Sequence, residues 1–116
     1  MWYAPDQDYG PKQSVFAPFF GVEAATITVI PRLVKINDSP VLILGHHRTP
    51  DRKGYRVSIS KPLQDYPTGD EVMDATTINN CLEDEIRKFP AQYMWLHRRF
   101  KTRPEREAGF YSRSRE

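Results

Sequence analysis

Three groups of side chains in this sequence could do chemistry: two carboxylates in a turn, two adjacent histidines, and a cationic, aromatic run near the carboxy end. Asp6 and Asp8 stand one residue apart in Pro5-Asp6-Gln7-Asp8-Tyr9-Gly10-Pro11. Two hard oxygen ligands there could share a divalent cation. Two acids among prolines and a glycine also cap turns by accepting backbone hydrogen bonds, which is the weightier reading. His46 and His47 precede Arg48 and Asp51. Adjacent side chains on an extended segment point to opposite faces, so the two imidazoles cannot hold one metal. No Ser/His/Asp set, Cys/His pair, phosphate-cradling glycine loop or zinc spacing is present. The residues call for no metal and no cofactor.

The run Gln92-Tyr93-Met94-Trp95-Leu96-His97-Arg98-Arg99-Phe100-Lys101-Thr102-Arg103-Pro104 is the densest signal. Guanidinium groups pair with phosphate or carboxylate in a two-pronged geometry, and Trp and Tyr suit a surface that is apolar on one side and wet on the other. Arg98, Arg99, Lys101 and Arg103 are therefore the candidate contacts to an anionic partner. Phospholipid-like material, nucleic acid and an acidic protein all satisfy that chemistry. A solvated basic edge with Tyr93 and Trp95 in the core is the competing structural reading. Against nucleic acid, the formal charge is only +2 and no groove-entering module is recognisable.

At 116 residues the chain is about one small domain. Its 39% hydrophobic and 28% charged residues describe a globular segment rather than a disordered one. From His97 onward seven Lys/Arg face three Glu, while the remainder carries ten against twelve acids, so a basic end follows a slightly acidic body. Cys81 is the only cysteine, which excludes an intrachain disulfide and suits a reducing compartment. No apolar run approaches the roughly 18–20 residues needed to span a bilayer, and Met1 onward lacks a signal-peptide layout.

The elements that must position these groups follow from periodicity. Met1-Trp2-Tyr3-Ala4-Pro5 reads as the end of a buried strand. Val15–Phe20 is a short apolar segment interrupted by Pro18. A helix is expected over Ala24–Ile36, kinked at Pro31 or starting near it with Thr28 as cap. Val41–Leu44 reads as a strand buried on both faces, and Tyr55–Ser60 alternates as a half-buried strand. Asp70 caps the next helix, whose apolar stripe is Val72, Ala75, Asn79, Leu82, Ile86 and Phe89. Asn79 within that stripe needs hydrogen-bond partners. Pro90 closes the helix and opens a second short one.

Several blocks together resemble the late acyltransferases of lipid A biosynthesis, the lauroyl and palmitoleoyl group in particular. They are Trp2-Tyr3-Ala4-Pro5-Asp6-Gln7-Asp8-Tyr9-Gly10, then Ser14-Val15-Phe16-Ala17-Pro18-Phe19-Phe20, and the closing 92–104 run, with Ala24-Ala25-Thr26, Ser39-Pro40-Val41 and the Asn79 helix between them in order. The resemblance implies an α/β fold: the C-terminal part of a glycerolipid-acyltransferase-like mixed sheet flanked by helices. Residues 1–104 would be that part, and 105–116 a basic, flexible tail. It implies transfer of a fatty acyl group from acyl carrier protein to a hydroxyl of a Kdo-bearing lipid A precursor, at the cytoplasmic face of a bacterial inner membrane. The family's general base is a histidine followed after four residues by Asp or Glu. His46 and Asp51 superficially fit that spacing, but they lie across a turn and in the wrong block, so His46 is rejected as the base and the motif is absent. The base, the basic acceptor block and the membrane anchor are expected upstream of Met1, leaving the isolated chain inactive. Asp6 and Asp8 fall in the acceptor-headgroup loop, with Asp8 organising it. A non-catalytic remnant or lipid-binding fragment is the alternative, and a nucleic-acid binder a weaker one. Ile43, His46, Val29 and Pro31 depart from residues common in the family.

Overall fold

The computed structural model describes residues 1–111. Its architecture is α/β: two antiparallel strand pairs and two helices in the order β1 (Ser14–Phe19), β2 (Val22–Ile27), α1 (Val29–Asn37), β3 (Leu44–Arg48), β4 (Tyr55–Ile59), α2 (Glu71–Lys88), then a single 3₁₀ turn at Pro90–Gln92. The strands form two separate two-stranded sheets, β1 with β2 and β3 with β4.

The first hairpin closes through Phe20-Gly21, with Phe19 paired to Val22. Both turn residues have positive φ, 50° at Phe20 and 75° at Gly21, which matches the twist of the flanking strands. Glycine adopts this freely; phenylalanine does so at a cost. Tertiary contacts hold Phe20 there. Its amide donates to Glu83 Oε1 at 2.6 Å, its ring meets Phe19 edge-on, and the Arg87 guanidinium lies 4.8 Å over it. Pro18 lies in an edge strand, where its missing amide breaks no central ladder.

Ala24, Ala25 and Thr26 lie in β2, so the expected helix over Ala24–Ile36 is confined to Val29–Asn37. Alanine favours helix locally, but here the small side chains let the hairpin seat closely, and Ala17, Ala24 and Ala25 are fully buried. Thr28 occupies the cap position without capping; its hydroxyl donates to Gln13 O at 3.1 Å, extending the hairpin instead.

α2 starts and ends where its sequence signals place it, but the expected stripe is buried only in its middle. Leu82 is half-buried, and Val72 and Phe89 at its two ends are exposed because no element among the described residues covers them fully. Asp70 accepts from the amides of Val72 and Met73, Ala75, Ile78, Asn79 and Ile86 are buried, and Pro90 begins the 3₁₀ turn. The buried cluster joins Phe19, Ala24 and Ile86, with Phe20, Leu82, Tyr93 and Phe100 packed on it. β3 starts at Leu44, later than the expected Val41, although Ser60 N to Ile43 O and Leu63 N to Val41 O continue its ladder. Leu42 and Leu44 are nearly half exposed and β4 is exposed throughout, contrary to the expected burial. Met1 to Tyr3 form no strand and are exposed.

Candidate functional site

The first ten residues and the 92–104 run meet in space. Asp8 is the joint. Its Oδ1 accepts from Gly10 N at 2.9 Å and Thr102 Oγ1 at 2.9 Å, and its Oδ2 accepts from Thr102 N at 2.6 Å. One carboxylate thus closes its own turn and clamps a residue 94 positions away. The Tyr93 hydroxyl donates to Asp6 O at 3.5 Å, a second tie between the same two segments. Burial pushes the Tyr93 phenol up to about 12, with the negative charge of Asp6 adding to it. The neutral form is the one the fold holds.

The four cations have different environments. Arg99 is 2% exposed. Its Nη1 donates to Ala25 O at 2.7 Å and its Nη2 to Thr26 Oγ1 at 3.1 Å, while the guanidinium lies 5.2 Å over the Phe19 ring. Burial lowers its pKa, opposed by Tyr93, Asp8 and Asp6 in that order. Arg103 turns back onto Glu23 O and Glu107, both at 2.5 Å, and lies over Phe110. Arg98 and Lys101 are exposed, Arg98 with its guanidinium 5.9 Å from the Tyr111 ring. Lys101 makes no ion pair among the described residues. Two cations therefore fasten the segment and two face solvent.

Asn79 anchors the same junction from α2. Its Nδ2 donates to Pro18 O at 3.1 Å and Thr26 Oγ1 at 3.0 Å, so the amide nitrogen has its partners, while the buried Oδ1 has none among the described residues. Thr26 Oγ1 donates in turn to Ala24 O, so one hydroxyl joins β2, α2 and the carboxy segment. Trp95 is more than half exposed, donates Nε1 to Pro90 O at 2.7 Å and meets Tyr93 edge-on at 4.9 Å.

No imidazole forms an ion pair with a carboxylate among the described residues. His47 stacks on Phe89 at 3.8 Å, and His46 lies exposed on the opposite face of β3. The Asp51 carboxylate accepts from Thr49 Oγ1 at 2.5 Å and Lys53 N at 3.0 Å, closing a turn, and these bonds lower its pKa. Cys81 is half-buried, and burial raises its thiol, the opposite of what a nucleophile needs.

Thr26 and Thr102 carry much of this junction, and sequence reasoning did not single them out. Nothing local marks either, because their partners lie 53 and 94 positions away. Of the tail expected over 105–116, residues 105–111 form no helix or strand, and 112–116 lie outside the described residues.

Fold and site together define an α/β unit that presses a cationic, aromatic segment against an acidic loop and leaves two of its cations in solvent. The chain belongs to the bacterial lipid A biosynthesis acyltransferase family, whose model matches residues 1–102. It is 46% identical to the lipid A biosynthesis palmitoleoyltransferase of Escherichia coli (strain K12) over 112 residues, 96% of this chain and 36% of that protein. It is 46% identical to the lauroyltransferase of the same strain over 106 residues, 90% of this chain and 35% of that protein. A lipid A biosynthesis acyltransferase of Haemophilus influenzae is 47% identical over 107 residues, 90% of this chain and 34% of that protein. The chain spans about a third of the length of these relatives.

Proposed function

We propose that this chain is the carboxy-terminal portion of an enzyme that moves a fatty acyl group from acyl carrier protein to a hydroxyl of a Kdo-bearing lipid A precursor. The work is done at the cytoplasmic face of the inner membrane. The carrying observation is the 46% identity to a palmitoleoyltransferase over 96% of the chain. The general base that would deprotonate the acceptor hydroxyl is supplied by sequence outside this chain, and the alkoxide attacks the thioester carbonyl with the carrier thiolate leaving. Neither a metal nor a cofactor enters that reaction.

Within this division, Asp8 shapes the acceptor loop by holding Gly10 and Thr102. Arg99 and Arg103 position the segment, and exposed Arg98 and Lys101 contact lipid phosphate or the acidic carrier. No helix among the described residues is long and apolar enough to cross a membrane, so attachment to the bilayer would come from the side or from sequence outside this chain.

Two measurements test the reading. Replacing the matching segment of the Escherichia coli palmitoleoyltransferase by this chain is expected to give a hybrid that acylates the precursor; a folded hybrid with no transfer refutes the assignment. The isolated chain is expected to show none. Transfer by the isolated chain above a protein-free blank would show that a base lies within it.

A further inference from the structure

An open apolar groove of about 660 Å³ runs between α1 and the second hairpin. Ile78 and Leu82 of α2 line it, with Leu33 and Val34 of α1 on one side and Leu42 and Leu44 on the other. Trp2 and Tyr3 contribute to it while remaining 75% and 40% exposed. No charged side chain is among its lining residues. The apolar surface continues beyond it along the outer face of the hairpin. There Leu44 pairs with Ile59, His46 with Val57 and Arg48 with Tyr55, and the three β4 residues are each more than half exposed.

We infer that this groove and the adjoining hairpin face form a docking surface for polypeptide, and that its occupant is the part of a lipid A acyltransferase domain that this chain does not span. This rests on the family reading above. Contiguous apolar exposure on this scale marks an interface. The groove gives anionic headgroups and acidic proteins no charged side chain to pair with, which separates it from Arg98 and Lys101; on the hairpin face the cation is Arg48, at the end far from the groove. A polypeptide suits it better than a lone acyl chain because the hairpin beside the groove is two-stranded and has outer backbone edges that no third strand covers among the described residues. The Gln92 side chain meets one stretch of edge at Arg48; another backbone can pair with the remainder, as an acyl chain cannot, and a two-stranded hairpin is marginal without further strands or a helix on its face. The chain's share of its relatives, 36% in the palmitoleoyltransferase, leaves ample family sequence to supply that backbone.

The test joins this chain to the portion of the Escherichia coli palmitoleoyltransferase outside their match, once as separate polypeptides and once as a single fusion. Titration calorimetry of the separate pieces is expected to give a one-to-one complex, weakened about tenfold or more by Leu42→Asp with Leu44→Asp. Both residues are nearly half exposed, so the variant keeps the circular dichroism of the parent chain. In the fusion, thiols introduced by Leu42→Cys and Leu44→Cys are expected to alkylate about tenfold or more slowly than in the isolated chain. Equal alkylation in fusion and isolated chain overturns the inference even where the separate pieces fail to fold. So does self-association of this chain that the paired Asp substitutions abolish, or protection of the thiols by a fatty acid alone. A fusion whose groove is protected but which transfers no acyl group refutes the functional reading and leaves the docking surface standing.

Discussion

Replacing Asp8 by Asn removes one charge, keeps the shape, and tests whether this carboxylate fastens the carboxy segment. In the native loop Oδ2 accepts from Thr102 N at 2.6 Å, and Oδ1 accepts from Gly10 N and Thr102 Oγ1, both at 2.9 Å. An amide has a single oxygen, so one of these positions must carry an NH2 group. With nitrogen at the Oδ2 position, two donors confront each other at Thr102; with the amide flipped, the confrontation moves to Gly10. The Thr102 hydroxyl can rotate, but neither backbone amide can. Each arrangement forfeits at least one hydrogen bond to a charged acceptor, worth about 1.5–3 kcal/mol.

Taking about 2 kcal/mol, the local opening equilibrium at Thr102 rises by about thirtyfold. Native-state amide exchange reads that equilibrium residue by residue. Thr102, or Gly10 where the amide flips, is expected to exchange about thirtyfold faster in the D8N chain, while amides in the middle of α2, bonded within their own helix, keep their rates. Exchange at both Thr102 and Gly10 within about threefold of the native chain would refute the clamp, since that difference is under 1 kcal/mol.

Three further perturbations probe the same junction. Thr26→Val preserves volume but strips the acceptor from Asn79 Nδ2 and Arg99 Nη2 and the donor from Ala24 O, so the urea midpoint should fall by an amount equivalent to about 2–3 kcal/mol at unchanged slope. The Tyr93 phenol, pushed up to about 12 by burial and then Asp6, ionises later in the folded chain than in the unfolded one, where it titrates near about 10. Its contribution to stability is whole below about pH 10 and is lost as pH rises toward about 12, so Tyr93→Phe should lessen the fall in urea midpoint between about pH 9 and about pH 11. Tyr66, raised by burial, keeps its own share of that fall in the variant. Paired Arg98→Glu and Lys101→Glu, placed in the hybrid enzyme, should raise KM about tenfold or more without moving the unfolding midpoint; an unchanged KM removes both from substrate or carrier contact.

Local rules read the part of this fold whose causes are local. The capped start of α2, the buried middle of its stripe and its end at Pro90 each follow from residues within a turn of one another, whereas the exposure of Val72 and Phe89 depends on what fails to cover them. β2 reads wrongly because Ala24-Ala25 favours helix in isolation, and only pairing with β1 beneath α2 makes small residues in a strand advantageous. The 41–44 segment is apolar as buried strands are, yet partly exposed, because hydrophobicity reports what a segment would bury and not whether a covering layer is present. The two segments that composition singled out, Asp6 to Asp8 and 92–104, are ones that meet in space. Composition could not tell Arg98 from Arg99: neighbours of one type, separated by which of them reaches Ala25 O, 74 positions back.

That separation explains why the segment carries a buried arginine at all. Enclosing a guanidinium costs desolvation energy that two neutral acceptors only partly offset, and the Arg99 Nε has no partner. An apolar side chain would pack there at lower cost. It would not distinguish one orientation of the segment from another, whereas a planar fork matched to one carbonyl and one hydroxyl fixes both rotation and register. With Arg99 docked between β2 and the Phe19 ring, and Thr102 held by Asp8, the residues between them have little freedom. Lys101 between them and Arg98 beside Arg99 are both exposed, and in the role proposed for them their charges would meet an anionic partner at lower ordering cost. The buried cation thus costs stability and fixes the segment's orientation, which suits the contact proposed for it.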